Sequence, residues 1–351
     1  MNLEADVAVV GGGPAACAAA LALRRTGHAV AVIAAIEETE KPTETAAPEL
    51  ARLLRALGAD DSLSACEPCF GIESSWGAPT STSRPSLLNP HGSSWFVHRR
   101  RFDRALRASA EQAGASWIEG RARDVDLQGP TLVVRTEHEA IHARWLIAAS
   151  GSSLWAANVT GQTPVVVDRL IGFWSRLPMR MDERILVVEC SDYGWWYLCP
   201  GEGDATIACL VTDATCEKHL QASSPKAWNR LFDTTTLSGR LGTSLRSSAV
   251  HSSPFVVRSL SRVTGPRWCV AGDSAMQLDP VGSSGTITAV DSAMRAAQAV
   301  SEAIQGDASS LNRYGVWCEW LFQTFVRERG NRYADEGRRW HGGFWNRRVP
   351  C

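Results

Sequence analysis

The chain has 351 residues, with 36 Lys and Arg balanced by 37 Asp and Glu, for a formal net charge of -1. That length supports one large or two modest domains around a well-buried core, and the near-neutral charge excludes a global pull towards nucleic acid or anionic lipid. No run of apolar residues is long enough to span a bilayer, and the N-terminus enters a strand pattern at once, so neither a membrane span nor a signal peptide is expected and a cytoplasmic location is.

Residues 6–10 form a short Val-rich run, as in a strand buried on both faces of a parallel sheet. The run meets Gly11-x-Gly13-x-x-Ala16, and residues 17–26 then read as an Ala/Leu-rich helix closed by Gly27. Strand, Gly-rich turn and helix in this order form the dinucleotide fingerprint. Gly11 permits the tight turn, Gly13 lets the backbone approach a pyrophosphate, Pro14 and Ala15 open the helix, and Ala16 allows close helix–strand packing. The second strand, 28–34, ends at Ala34-Ala35, where the fingerprint ordinarily carries an acid for the ribose hydroxyls; either Glu37 or Glu38 just beyond bends back to the ribose, or the adenosine end is held more loosely.

Residues 44–57 read as a helix after a polar turn. Residues 70–77 and 94–97 alternate apolar and polar side chains, like strands of a separate sheet. A helix is predicted over 102–113, and 144–151 is another buried strand closing on Gly. Strands are then predicted at 186–188, 195–198 and 206–210, with a helix inside the polar stretch 223–240. Trp195 and Tyr197 share one face of their strand and Trp196 takes the other. Far downstream, an apolar strand at 268–271 leads into Gly272-Asp273, and Asp279-Pro280-Val281-Gly282-Ser283-Ser284-Gly285 opens a helix over 286–304. Asp273 is suited to accept hydrogen bonds from a ribityl chain. A helix N-terminus exposed by this Pro/Gly loop, with Ser283 and Ser284, stabilises negative charge on a reduced isoalloxazine. The two Gly-rich segments together predict FAD.

The fold class that follows is α/β: a discontinuous Rossmann-like FAD-binding domain (1–70, 98–155, 265–310), an inserted, mostly antiparallel substrate-side domain (71–97, 156–264), and a helical tail, 311–351. Gly11-x-Gly13-x-x-Ala16, the strand ending Ala148-Ala149-Ser150-Gly151, and Gly272-Asp273 with Asp279-Pro280 are similar, in order, to the landmarks of the flavoprotein monooxygenase superfamily that includes p-hydroxybenzoate hydroxylase and the tryptophan halogenases. The middle landmark departs from the family, which usually has Asp at the place of Ala148. A narrower set resembles the LodB-type flavoprotein maturases of quinone-cofactor oxidases: 44–49, Ser74-Ser75-Trp76-Gly77, Trp95 to Arg99 with Phe102-Asp103, Gly194 to Tyr197 with Pro200, and the tail from Tyr333 to Arg348.

The resemblance implies a reduced flavin that activates molecular oxygen for transfer to an electron-rich ring, here a Trp of a partner protein that is the precursor of a quinone-cofactor oxidase. The alternatives are hydroxylation of a free small aromatic, a prenyl-type reductase, and a non-catalytic flavin-binding maturation partner. By place in the motifs, Glu44 and Arg99 join the cofactor site. Trp76, His98, Trp195, Tyr197 and Asp213 are candidate catalytic residues, with His251 as a further candidate base. No second Gly-rich fingerprint occurs for NAD(P)H, so the reductant either docks transiently or acts through a separate flavin reductase. In the halogenases of the resembled family a lysine lies on the substrate-side sheet beyond the first helix pair, and here no lysine occurs between Lys41 and Lys218, which argues against halogenation. Cys66-x-x-Cys69 reads as incidental thiols or a redox pair; no second pair follows at zinc spacing, so no metal is expected. The tail interleaves eight arginines with aromatic residues, either as a partner surface or as a helix packing its aromatic face on the body.

Overall fold

The computed structural model describes residues 2–35, 40–241, 246–307 and 309–348. Glu37 and Glu38, the alternative ribose ligands, lie outside the described residues. Among the described residues, three sheets organise the fold. The first has a parallel core in which the strand Asn2–Val10 lies between Val30–Ala34 and Ala140–Ala148. Ser116–Glu119 adds in parallel outside the second strand, and Trp268–Val270 outside Ala140–Ala148. Val7, Val9, Val32 and Leu146 are fully buried, as β-branched and aliphatic strands covered on both faces must be. Helix Pro14–Arg25 begins at the Gly-rich turn itself, because Pro14 supplies a preset φ at N1 where no N–H is needed. It packs along the long helix Gly285–Ile304, Ala against Ala, so the two Gly-rich segments meet back to back.

The second sheet is antiparallel apart from one strand pair and is built around Pro164–Leu177, His251–Leu260, Thr206–Thr212, Gly194–Pro200 and Leu186–Ser191. Gly71–Ser74 continues it in parallel at Leu186–Ser191. The two longest strands escaped the sequence reading: Val165 to Val167 are exposed and Pro254 interrupts the other, so neither shows clean alternation. Trp195 and Trp196 do take opposite faces. Trp196 packs under helix Pro225–Phe232 against Trp228, with ring centroids 5.4 Å apart, and Trp195 faces the tail.

Two sequence expectations give way. Residues 44–46 are a strand, not the start of a helix, and the helix is confined to Glu49–Leu57, where Pro48 can stand at its N-cap. Ser94–Val97 pairs with Glu44–Ala46 and Cys66–Cys69 in a small third sheet, separate from the larger antiparallel one. The tail is the helix Ser309–Gly337 followed by the short helix Gly343–Asn346. Among the described residues, no helix is long and apolar enough to cross a membrane.

Candidate functional site

The phosphate end of the site is made of absent side chains. Gly11 has φ +135°, and a Cβ there would stand 2.1 Å from the carbonyl oxygen of Ala149, so neither the backbone nor the space admits another residue. A Cβ at Gly13 would meet nothing within 4 Å. Gly13 is the N-cap of its helix without a side-chain cap, so the first-turn N–H groups stay available to a phosphate. Ala15 and Ala16 are buried behind it. The second Gly-rich segment closes on the same helix: Gly272 has φ +65°, and a Cβ would lie 2.8 Å from that of Ala15. Ser292 Oγ accepts the N–H of Gly272 at 2.9 Å. Ser274 Oγ donates to the carbonyl of Gly151 at 2.9 Å, tying the middle landmark to Gly272-Asp273 although Ala148 carries no carboxylate.

At the other end, Glu44 accepts from Arg99 and, at 2.7 Å, from the hydroxyl of Thr286 in the first turn of helix Gly285–Ile304. Arg99 also grips Asp103 through two bonds of 3.1 Å. Burial pushes the Glu44 carboxyl up, but Arg99 and Thr286 outweigh it and hold the group below the usual carboxylate range. Asp273 has no such relief: burial and the neighbouring Glu44 push it up to about 6, against the pull of Arg99 and Arg258. Thr45 Oγ1 donates to Ser283 Oγ at 2.7 Å, pinning the loop before the helix.

The loop is locked from below by a charged network. Asp279 is buried; it caps the turn by accepting Val281 N–H at 2.9 Å and takes Arg329 Nε at 2.6 Å and Tyr333 Oη at 3.0 Å. Arg329 also pairs with Asp168, which Arg348 Nε meets at 2.7 Å. Arg348 Nη1 then reaches Asp213 at 2.8 Å, and Arg347 meets the same carboxylate at 2.7 Å. Six charged side chains thus run from the loop to the tail, with Arg347 at the outer end. On the substrate-side sheet, Trp195 Nε1 donates to Tyr333 Oη at 3.2 Å, so an aromatic face is wired to the loop through one hydroxyl. Tyr333 lies under the Arg329 guanidinium at 4.4 Å. Trp76 stands edge-on to Trp195, Tyr333 and Trp345 at 5.6–6.0 Å.

The candidate bases separate. His98 is buried at the N-cap of helix Arg99–Gln112 and shares both ring nitrogens, with Thr43 and with Glu67, each at 3.3 Å. Asp213 caps helix Ala214–Leu220 and holds both tail arginines; burial raises it, but Arg347, the N–H of Cys216 and Arg348 bring it below its ordinary value. His251 stacks on Trp174 at 4.4 Å and has Glu40 at 3.8 Å. Trp174 lines a cavity of about 90 Å³ with Lys41, Thr43, His98 and Arg99. Tyr197 lies on the Trp195 face, its hydroxyl pushed well up by burial. Cys66 and Cys69 are unbridged, and burial raises both thiols, Cys66 to about 12; neither is an activated thiolate. Among the described residues no group of His, Cys, Asp or Glu is arranged to hold a metal ion.

The donor set fits FAD. Gly13 and Gly285 leave backbone open on both sides, and Ser284 Oγ and Gln277 Oε1 are buried without a partner in the second Gly-rich segment. The sequence pointed to the glycines and Ser284; Gln277, Arg258 and Thr286 were missed, since nothing in their local pattern marks them.

A family model for the FAD binding domain matches residues 4–327, and the chain belongs to that family. It is an FAD-dependent oxidoreductase of the flavin monooxygenase superfamily. The FAD-dependent oxidoreductase LodB of Marinomonas mediterranea is 23% identical, covering 98% of this chain and 96% of that protein. Among solved structures, the flavin-dependent halogenase CmlS superposes with a TM-score of 0.86 at 20% identity, over 99% of this chain and 68% of that one. The peptidyl tryptophan dihydroxylase QhpG, described as essential for tryptophylquinone cofactor biogenesis, superposes with a TM-score of 0.74 at 24% identity, over 98% and 78%.

Proposed function

We propose that the protein is a monooxygenase that hydroxylates a Trp side chain of a partner polypeptide, the precursor of a quinone-cofactor oxidase. The observation that carries this reading is the fold shared with the peptidyl tryptophan dihydroxylase QhpG; the aromatic cluster of Trp195 and Tyr333 is buried under the tail and braces the loop at Asp279. The likeness to LodB along nearly the whole chain and to QhpG in fold supports a polypeptide over a free aromatic.

FAD, when bound, supplies the oxygen activation. The N–H groups of Gly12, Gly13, Ala15 and Ala16 would bind its phosphates, and Asp273 would accept from its ribityl hydroxyls. Ser284 and the N-terminus of helix Gly285–Ile304 would hold the pyrimidine edge, where they would stabilise the negative charge of the reduced ring. Arg99 holds Glu44 in place beneath that helix. Of the three candidate bases, His251 alone is not committed to a cap or to two hydrogen bonds, and it is assigned the ring proton. The reducing equivalents come from NAD(P)H directly or through a separate reductase.

Lys41 lies in the cavity beside Trp174 but is drawn to Asp103 at 3.4 Å, while Lys218 and Lys226 are on exposed surface. Turnover is therefore expected without halide. The test is mass spectrometry of the oxidase precursor co-expressed with this protein or with its Asp273→Ala variant. Added oxygen on a Trp with the wild type only is the expected result; an unchanged precursor mass would reject the polypeptide reading.

A further inference from the structure

The second strand ends at Ala34, where the dinucleotide fold ordinarily places a carboxylate on the ribose. We propose that Glu119, on the neighbouring strand, supplies that carboxylate and that Trp117 forms the wall of the same subsite, so that the adenosine half of FAD is gripped from the third strand and not the second.

Strand register carries the argument. Ala34 is the parallel partner of Glu119, and Val32 of Trp117. Period-two alternation puts Trp117 and Glu119 on one face, the face of Ala34. The tips are clamped together, since Gly120 N–H donates to the carbonyl of Ala34 at 3.0 Å. Adjacent strands lie about 4.8 Å apart, a gap that a glutamate side chain spans and an aspartate does not. The subsite adjoins the phosphate turn: a Cβ at Gly12 would lie 3.0 Å from that of Ala34 and 3.8 Å from Cζ2 of Trp117. The missing side chain at Ala34 is therefore what opens room for an indole reaching over from the next strand.

Three further features fit a ligand edge. Trp117 Nε1 is a buried donor without a partner. One ring face is covered by the Arg107 guanidinium at 4.4 Å, which fixes the indole plane. Arg107 also lies 3.6 Å from Glu119 and holds Glu111 at 3.0 Å. The Glu119 side chain remains 57% exposed, so its carboxylate is available to a diol.

FMN lacks the adenosine half, so the comparison of FAD with FMN isolates this subsite. Apo-protein is titrated with each flavin, following fluorescence quenching. Glu119→Gln, an exposed and isosteric change, is expected to weaken FAD about tenfold, the loss of a charge-assisted hydrogen bond, and to leave FMN unchanged. Trp117→Phe is expected to weaken FAD about threefold, again without effect on FMN. Unchanged FAD affinity in Glu119→Gln, or equal losses for both flavins, overturns the proposal. Because the readout is flavin affinity, it stands or falls independently of which aromatic is hydroxylated.

Discussion

Around the dinucleotide turn, Gly11, Gly12, Gly13 and Ala34 offer almost no side chain, whereas around Asp279 the charged groups of Asp168, Arg329, Arg348 and Asp213 interlock. In the proposed reading each region holds one end of the same cofactor. The first depends on backbone N–H groups and on empty space, so its geometry is set by residues that touch it directly. The second depends on side chains brought from the substrate-side sheet and from the tail, so its geometry is set at a distance. A phosphate binds equally well to any backbone that leaves room, but a helix N-terminus must be aimed, and aiming calls for rigid ties.

The contrast is sharpest where an added methyl group meets backbone. Gly11→Ala places a Cβ against the Ala149 carbonyl in a strained φ and is expected to cost about 4 kcal/mol of stability, combining backbone strain and overpacking; urea denaturation of the apo-protein reads it directly. Arg348→Ala attacks the other end. Asp168 keeps Arg329 and Asp213 keeps Arg347, so the loss is placed at the lower limit for a broken buried pair, about 3 kcal/mol. With it the visible flavin spectrum should shift, because Asp168, which positions the Arg329 that holds Asp279, loses its second arginine; a destabilised variant with an unaltered flavin band would mean that the network does not reach the loop.

Gly13→Ala separates binding from folding. Its Cβ meets open space, so apo stability should move by less than about 0.5 kcal/mol, while FAD affinity falls about tenfold as the methyl group enters the phosphate path. The smallest effect is on pH. Asp273, pushed up to about 6, is an ionised acceptor above that pH and a neutral acid below it. FAD affinity should therefore fall several-fold on acidification from about pH 7.5 to about pH 5, and Asp273→Asn should flatten the profile. The apo-protein responds in the opposite sense. Its folded state binds more protons than the unfolded chain between the ordinary carboxylate value and about 6, so this contribution to stability is lost as pH rises through that window.

The backbone-built end was the more legible in sequence. Gly11 and Gly272 announce themselves because few other residues satisfy φ +135° and +65°, and Gly13 because the fingerprint needs bare backbone there. The alternation of Trp195, Trp196 and Tyr197 was also readable from strand period alone. The network was not. Asp168, Asp279, Arg329 and Arg348 come from separate stretches, and a charge in a polar segment reads as a solvated face until the fold buries it. Glu44 was misplaced in a helix because the helix-compatible run after Pro48 masked a three-residue strand whose identity comes only from pairing with Val97. The arginines of the tail illustrate the same limit. Their spacing suited a partner surface, yet Arg329 and Arg348 are buried in the body while Trp320 stays 60% exposed.

The bracing of Asp279 also orders events during synthesis. The loop and the helix it opens leave the ribosome well before Arg347 and Arg348, and chains fold from their N-terminal side as they emerge. A nascent chain can thus complete its phosphate turn early, but it reaches the residues that fix the isoalloxazine end only when the tail has docked. Cofactor capture would then proceed in two stages, with adenosine and phosphates engaged first and the reactive ring seated last.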